Sequence, residues 1–137
     1  MQIISPDFIV IDDSKLDCFI AEKIIKNTGN YKVQTYTKAS TVIELLKDLD
    51  SHFTVSKTII ILDIQMPVMN GFEFAEEFEK LPQTTKDKFE IFMISSSVNN
   101  SDRDRSSNFP SINNLQVKPL SKTMIAEMVD HVIAACL

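Results

Sequence analysis

The chain has 137 residues, 14 Lys+Arg against 19 Asp+Glu for a net charge of −5, and only 2 glycines, Gly29 and Gly71. That length predicts a single domain over residues 1–137 with its core from about residue 6, large enough to hold itself without disulfides or a structural metal. Two glycines cannot spell G-x-G-x-x-G or G-x-x-x-x-G-K-[ST], so a glycine-built phosphate cradle is excluded, and scattered basic residues under a negative balance argue against direct nucleic-acid binding.

Short apolar runs alternate along the chain with helical patterns. Phe8–Ile11 is continuously apolar and ends at Asp12-Asp13, as a strand does when both its faces are covered. Ser14 opens an amphipathic stretch that places Leu16, Phe19, Ile20 and Ile24 on one face, stopped at Thr28-Gly29-Asn30 with Gly29 expected as a left-handed cap. Residues Tyr31–Thr35 are expected as a short strand. Ala39–Leu49 then reads as a helix with Val42, Leu45, Leu46 and Leu49 inward, and Asp50–Lys57 as a polar connection. Ile59–Leu62 is the most apolar run and the expected central strand, terminated by Asp63.

Gln65–Gly71 contains a proline and an Asn-Gly pair and is expected as a loop over the strand end. Phe72–Leu81 is helical in pattern, with Phe74, Ala75, Phe78 and Leu81 apolar and Glu73, Glu76, Glu77 and Glu79 toward water. Phe89–Ile94 is expected as a fourth strand, followed by Ser95-Ser96-Ser97 and a weakly patterned helix near Ser101–Asn108. Leu115–Val117 reads as a short fifth strand before Lys118-Pro119. Ser121 caps a last helix whose apolar face carries Met124, Ile125, Met128, Val129, Val132, Ile133 and Cys136.

Five strands alternating with five helices imply an α/β doubly wound parallel sheet. Cys18 and Cys136 lack C-x-x-C spacing and read as reduced core residues of a cytoplasmic protein. No apolar run reaches membrane-spanning length and no export signal opens the chain, so no membrane partner is expected. His52 and His131 are isolated and have no metal-ligand spacing.

In such sheets ligands bind beyond the carboxyl ends of the strands. Those ends carry Asp12, Asp13, Asp63, Ser95 and Lys118. Taken singly, each has a plain structural role: Asp13 and Ser14 as helix caps, Asp63 and Ser95 as turn residues. Independent turn residues need not all fall on one edge, and here they do. Three carboxylates together raise one another's pKa unless cations sit among them; Lys118 supplies one charge, and a hard divalent ion supplies two. Mg²⁺ suits carboxylate, water and phosphoryl oxygens, and in its presence Asp63 can serve as an oxygen nucleophile on phosphorus, giving an aspartyl phosphate.

The ordered set Asp12-Asp13, Ile59–Gly71 with Asp63 and Met66-Pro67, Ile94-Ser95-Ser96 and Lys118-Pro119 closely resembles the receiver domain of two-component response regulators, from about Phe8 to the C-terminus. The resemblance implies a flavodoxin-like (βα)5 sandwich with strand order 2-1-3-4-5. It implies Asp63 as phosphoacceptor; Asp12, Asp13, Asp63 and the Gln65 backbone carbonyl around Mg²⁺; Ser95 and Lys118 as partners of the phosphoryl group; and a cis Lys118-Pro119 bond. The donor it implies is a sensor histidine kinase or histidine phosphotransfer protein. The output is a protein target on the face of the fourth helix, fifth strand and fifth helix expected from the sequence, in a monomer or weak homodimer. Its only chemistry of its own is self-phosphorylation and self-dephosphorylation. Leu115 stands where the family often carries an aromatic residue, and Asn70 where aspartate is common. Three alternatives stand beside it: a receiver segment of a hybrid kinase or larger regulator, a binding module independent of phosphorylation, and a haloacid-dehalogenase-like phosphohydrolase. The last asks for an acid two residues after the nucleophile, where this chain has Gln65.

Overall fold

Ile59, Ile60, Ile61 and Leu62 are all fully buried, which requires cover on both faces of the strand that carries them. The computed structural model, which describes residues 5–48 and 57–136, puts that strand in the middle of a five-stranded parallel sheet. The strands are β1 (Asp7–Ile11), β2 (Val33–Tyr36), β3 (Thr58–Asp63), β4 (Phe89–Ser95) and β5 (Ile112–Val117), in the order β2-β1-β3-β4-β5. Six helices connect or flank them: α1 (Lys15–Thr28), α2 (Ala39–Lys47), α3 (Gly71–Glu79), α4 (Gln83–Lys86), α5 (Asn100–Ser106) and α6 (Lys122–Cys136).

The two-residue period of a strand divides the core in two. Ile60, Leu62, Ile91 and Met93 point to the side holding Val42, Leu46, Phe74 and Phe78 of α2 and α3. Ile59, Ile61, Phe92 and Ile94 point to the other, against Cys18, Ala21 and Ile25 of α1 and Ile125, Met128, Val129 and Val132 of α6. Ser121 caps α6 as expected, its hydroxyl accepting from the Met124 N–H at 3.2 Å.

Several expectations are corrected. Leu16, Phe19 and Ile20 do not face the core: they are 66, 58 and 43% exposed, and α1 instead buries the slimmer stripe Cys18, Ala21, Ile25. Both stripes fit a helical period, and only the small side chains let the helix lie close to the sheet. In α2, Val42 and Leu46 are buried as expected and Ile43 joins them, whereas Leu45 is half exposed; Leu49 lies outside the described residues, as do His52 and the 50–56 part of the predicted connection. Gly29 is extended at φ −176°, not left-handed, and its missing side chain makes room for the Tyr31 ring, which an added Cβ would meet at 2.6 Å.

The extra helix α4 is a single turn started by Pro82, too short to show any period in sequence. β5 begins at Ile112 instead of Leu115, because Asn113 and Asn114 hide a strand that carries a register shift opposite Ile91/Phe92. α5 begins one residue earlier and ends two earlier than its pattern suggests, started by a capping box between Asn99 and Asp102. Cys18 is a free, buried thiol; Cys136 lies in α6, its side chain outside the described residues. His131 is exposed and packs edge-on to Phe92, with ring centres 5.9 Å apart. Among the described residues no helix is long and apolar enough to cross a membrane.

Candidate functional site

Parallel register brings the strand ends level. Ile11 lies beside Leu62, Asp63 beside Ile94 and Ser95 beside Val117, so the next residues of β1 and β5 reach the same rim as the last residues of β3 and β4. Asp12, Asp63 and Ser95 are buried there and Asp13 is exposed. One carboxylate oxygen from each of Asp12, Asp13 and Asp63 lies within 4.8 Å of the others.

Lys118 reaches across this cluster. Its Nζ lies 2.7 Å from Asp12 Oδ2, 3.0 Å from Asp17 Oδ2 and 3.5 Å from Asp63 Oδ1. The Lys118 N–H donates to the Ser95 carbonyl at 2.8 Å, which continues the ladder past the end of β5, and the Lys118–Pro119 bond is cis, as the resemblance implied. Asp17 is the residue that sequence reasoning missed. It sits in the first turn of α1, where the Ser14 hydroxyl accepts from its N–H, one helical turn after Asp13. That spacing was the signal available. A tally of three carboxylates at the rim is therefore one short: Asp12, Asp17 and Asp63 lie within 3.5 Å of the ammonium, and Asp13 adjoins Asp12 and Asp63.

Ser95 stands at the rim with its hydroxyl engaged elsewhere. The O–H donates to the Ser97 carbonyl at 2.9 Å and accepts from the Ser97 N–H at 3.3 Å. Asp12 in turn accepts from the Ser14 N–H at 3.0 Å, and the Cys18 thiol donates to the Asp12 carbonyl at 3.3 Å. Burial, with help from Asp12, holds that thiol above its ordinary pKa.

The same forces act on the acids. Asp63 is pushed up to about 6, first by burial and then by Asp12, with Lys118 pulling the other way. Burial disfavours the charge of Lys118, yet the hydrogen bonds to Asp12 and Asp17 outweigh it and hold the ammonium above its usual pKa.

The loop between β3 and α3 keeps the Asp63 backbone tightly covered. A Cβ on Gly71 would meet the Asp63 carbonyl oxygen at 2.7 Å, so only glycine allows α3 to start there. Asn70 and Glu73 close a capping box over that start. The Met69 N–H donates to the Pro67 carbonyl at 2.8 Å across Val68, which has φ 69°: a γ-turn in the middle of the loop. Gln65 lies in this loop, exposed, two residues past Asp63. Three clustered carboxylates, two of them buried and one with a raised pKa, are the hard-oxygen donor set that suits Mg²⁺.

Fold and rim together define a receiver-type α/β protein. The family model described as the response regulator receiver domain matches residues 8–130, and the chain belongs to that family. A response regulator receiver protein from Dyadobacter fermentans is 35% identical, with TM-score 0.85 over 94% of this chain and 98% of its own. A two-component response regulator from Cytophaga hutchinsonii is 25% identical, with TM-score 0.85 over 97% of this chain and 99% of its own. The chemotaxis protein CheY4 of Vibrio cholerae, 20% identical with TM-score 0.71 over 93% of this chain and 98% of its own, shares the fold. A search of curated proteins gives no match. The architecture is the flavodoxin-like sandwich of that family, with an acidic pocket compatible with Mg²⁺ and aspartate phosphorylation.

Proposed function

We propose that this chain is the phosphoacceptor of a two-component system or phosphorelay, a single cytoplasmic receiver domain that takes a phosphoryl group on Asp63. The observation that carries the reading is the convergence of Asp12, Asp13 and Asp63 within 4.8 Å, with Lys118 bridging Asp12 and Asp63. Asp12, Asp13, Asp63 and the Gln65 carbonyl would hold Mg²⁺, which neutralises charge on the transferring phosphoryl oxygens when bound. Asp63 attacks as a carboxylate and needs no general base. A pKa of about 6 leaves it largely ionised near neutral pH. Its oxygen bonds to phosphorus as the bond to the donor's imidazole nitrogen breaks.

The product adds roughly −1.5 to −2 charges at the rim if it behaves like other phosphoryl groups. Lys118 is already within 3.5 Å and answers that charge directly. For Ser95 to do so, its hydroxyl has to leave Ser97, and this couples the pocket to the segment between β4 and α5. Output then runs through the face of α5, β5 and α6 to a protein target, and hydrolysis resets the switch. Leu115 is buried under that face, so an aromatic side chain swinging in and out at this position is not part of the device.

For the donor, a sensor histidine kinase or histidine phosphotransfer protein, the exposed Leu16, Phe19 and Ile20 of α1 are the fitting surface. Ile20 lines the same cleft as Asp12, Asp17 and Lys118, so a protein seated on these apolar groups has its histidine next to the pocket.

The test is incubation with acetyl phosphate or beryllofluoride, with and without Mg²⁺, followed by intact-mass or ¹⁹F measurement. Modification that requires Mg²⁺ and is lost in Asp63→Asn is expected. Labelling that persists in the variant overturns the assignment of Asp63, and absence of any labelling favours a binding module independent of phosphorylation. Rapid turnover of phosphomonoesters points to a hydrolase instead.

A further inference from the structure

Lys118 has more acceptors than its role toward a phosphoryl group explains. An ammonium donates three hydrogen bonds, and its short contacts go to Asp12 at 2.7 Å and Asp17 at 3.0 Å, while the acceptor Asp63 is left at 3.5 Å. Charge-assisted N–H···O bonds centre near 2.7–2.9 Å, so Asp63 is the most weakly held of the three. The Ser14 cap fixes the Asp17 backbone in the first turn of α1, which sets the carboxylate beside the lysine.

We propose that Asp17 is a positioning residue that holds Lys118 toward α1 and away from the phosphoryl site, so that phosphorylation of Asp63 proceeds by exchange of the lysine from Asp17 to the new oxygens. The proposal rests on Asp63 being the phosphoacceptor. Which acid gives the lysine up follows from burial. The Asp12 side chain is 3% exposed and its charge has to stay paired inside the pocket, whereas that of Asp17 is 41% exposed and can give up the lysine and turn to water. Asp17 therefore acts as a competitor whose removal favours the phosphorylated arrangement.

The experiment measures beryllofluoride affinity at saturating Mg²⁺ by ¹⁹F NMR in the wild type, Asp17→Asn, Lys118→Ala and the double variant. Asp17→Asn is expected to tighten binding about two- to fivefold, the range of a partly exposed ion pair, and to have no effect once Lys118 is absent. A second readout needs no metal: solvent exchange of the Lys118 ammonium protons should quicken several-fold in Asp17→Asn. Unchanged or weaker beryllofluoride binding, or unchanged proton exchange, overturns the proposal. So does equal tightening in the Lys118→Ala background, which would make Asp17 only a nearby charge. If the wild type itself binds no beryllofluoride with Mg²⁺, the phosphoacceptor reading fails, and this proposal with it.

Discussion

Asp63 carries its negative charge at a cost to the fold. Its pKa is raised from 3.8 to about 6 by burial and by Asp12, so the folded protein binds that proton more tightly than the unfolded chain does. Stability from this group is therefore lost as pH rises from about 3.8 to about 6, and the full penalty stands above that range. At 1.4 kcal/mol per pH unit the penalty is on the order of 3 kcal/mol. Asp63→Asn cannot ionise, so it should be more stable than the wild type at neutral pH by up to that amount. The gap should close as pH falls toward 4, read from urea midpoints in metal-free buffer. A variant no more stable than the wild type at pH 7 would contradict this account of the pocket. At the same scale, Gly71→Ala forces a methyl against the Asp63 carbonyl; overpacking of this kind costs roughly 1–3 kcal/mol, and Mg²⁺-dependent phosphorylation should slow with it.

Helix α1 shows where patterning informs and where it misleads. Two apolar stripes fit its period, and the greasier one, Leu16, Phe19 and Ile20, is the one left in water. Ile25→Ala should cost about 2–5 kcal/mol because it empties a fully buried site, whereas Leu16→Gln should stay within about 0.5 kcal/mol and instead slow phosphotransfer from the proposed histidine donor. Denaturation and transfer rates on the two variants separate packing from recognition. The same ambiguity explains what was legible beforehand. The central strand, the parallel topology and the positions of Asp12, Asp13, Asp63, Ser95 and Lys118 could be read because continuous apolar runs end at chemically distinctive residues. Asp17 could not, because an acid in the first turn of a helix ordinarily serves the dipole. The turn of α4 and the start of β5 escaped because four residues, or a pair of asparagines, carry no period. Side-chain direction also lies beyond the sequence, and the Ser95 hydroxyl bonds to Ser97.

Across the whole molecule, a net charge of −5 includes four aspartates at one rim, three of them within 3.5 Å of the Lys118 ammonium. A divalent cation there should stabilise the fold by linkage, about 1.4 kcal/mol when its concentration is ten times its dissociation constant. Adding a chelator should therefore lower the melting temperature of the Mg²⁺-loaded wild type and do much less to Asp63→Asn. Equal responses in the two proteins would place the ion elsewhere.

The level strand ends have one more consequence. Asp63 and Ser95 are the last residues of β3 and β4, so their backbones inherit the stiffness of the sheet, while the exposed apolar groups Leu16, Phe19 and Ile20 lie on α1. On the proposed function, chemistry and donor choice fall on separable parts of the chain. The outer face of α1 could then change to suit another donor while the rim stays as it is.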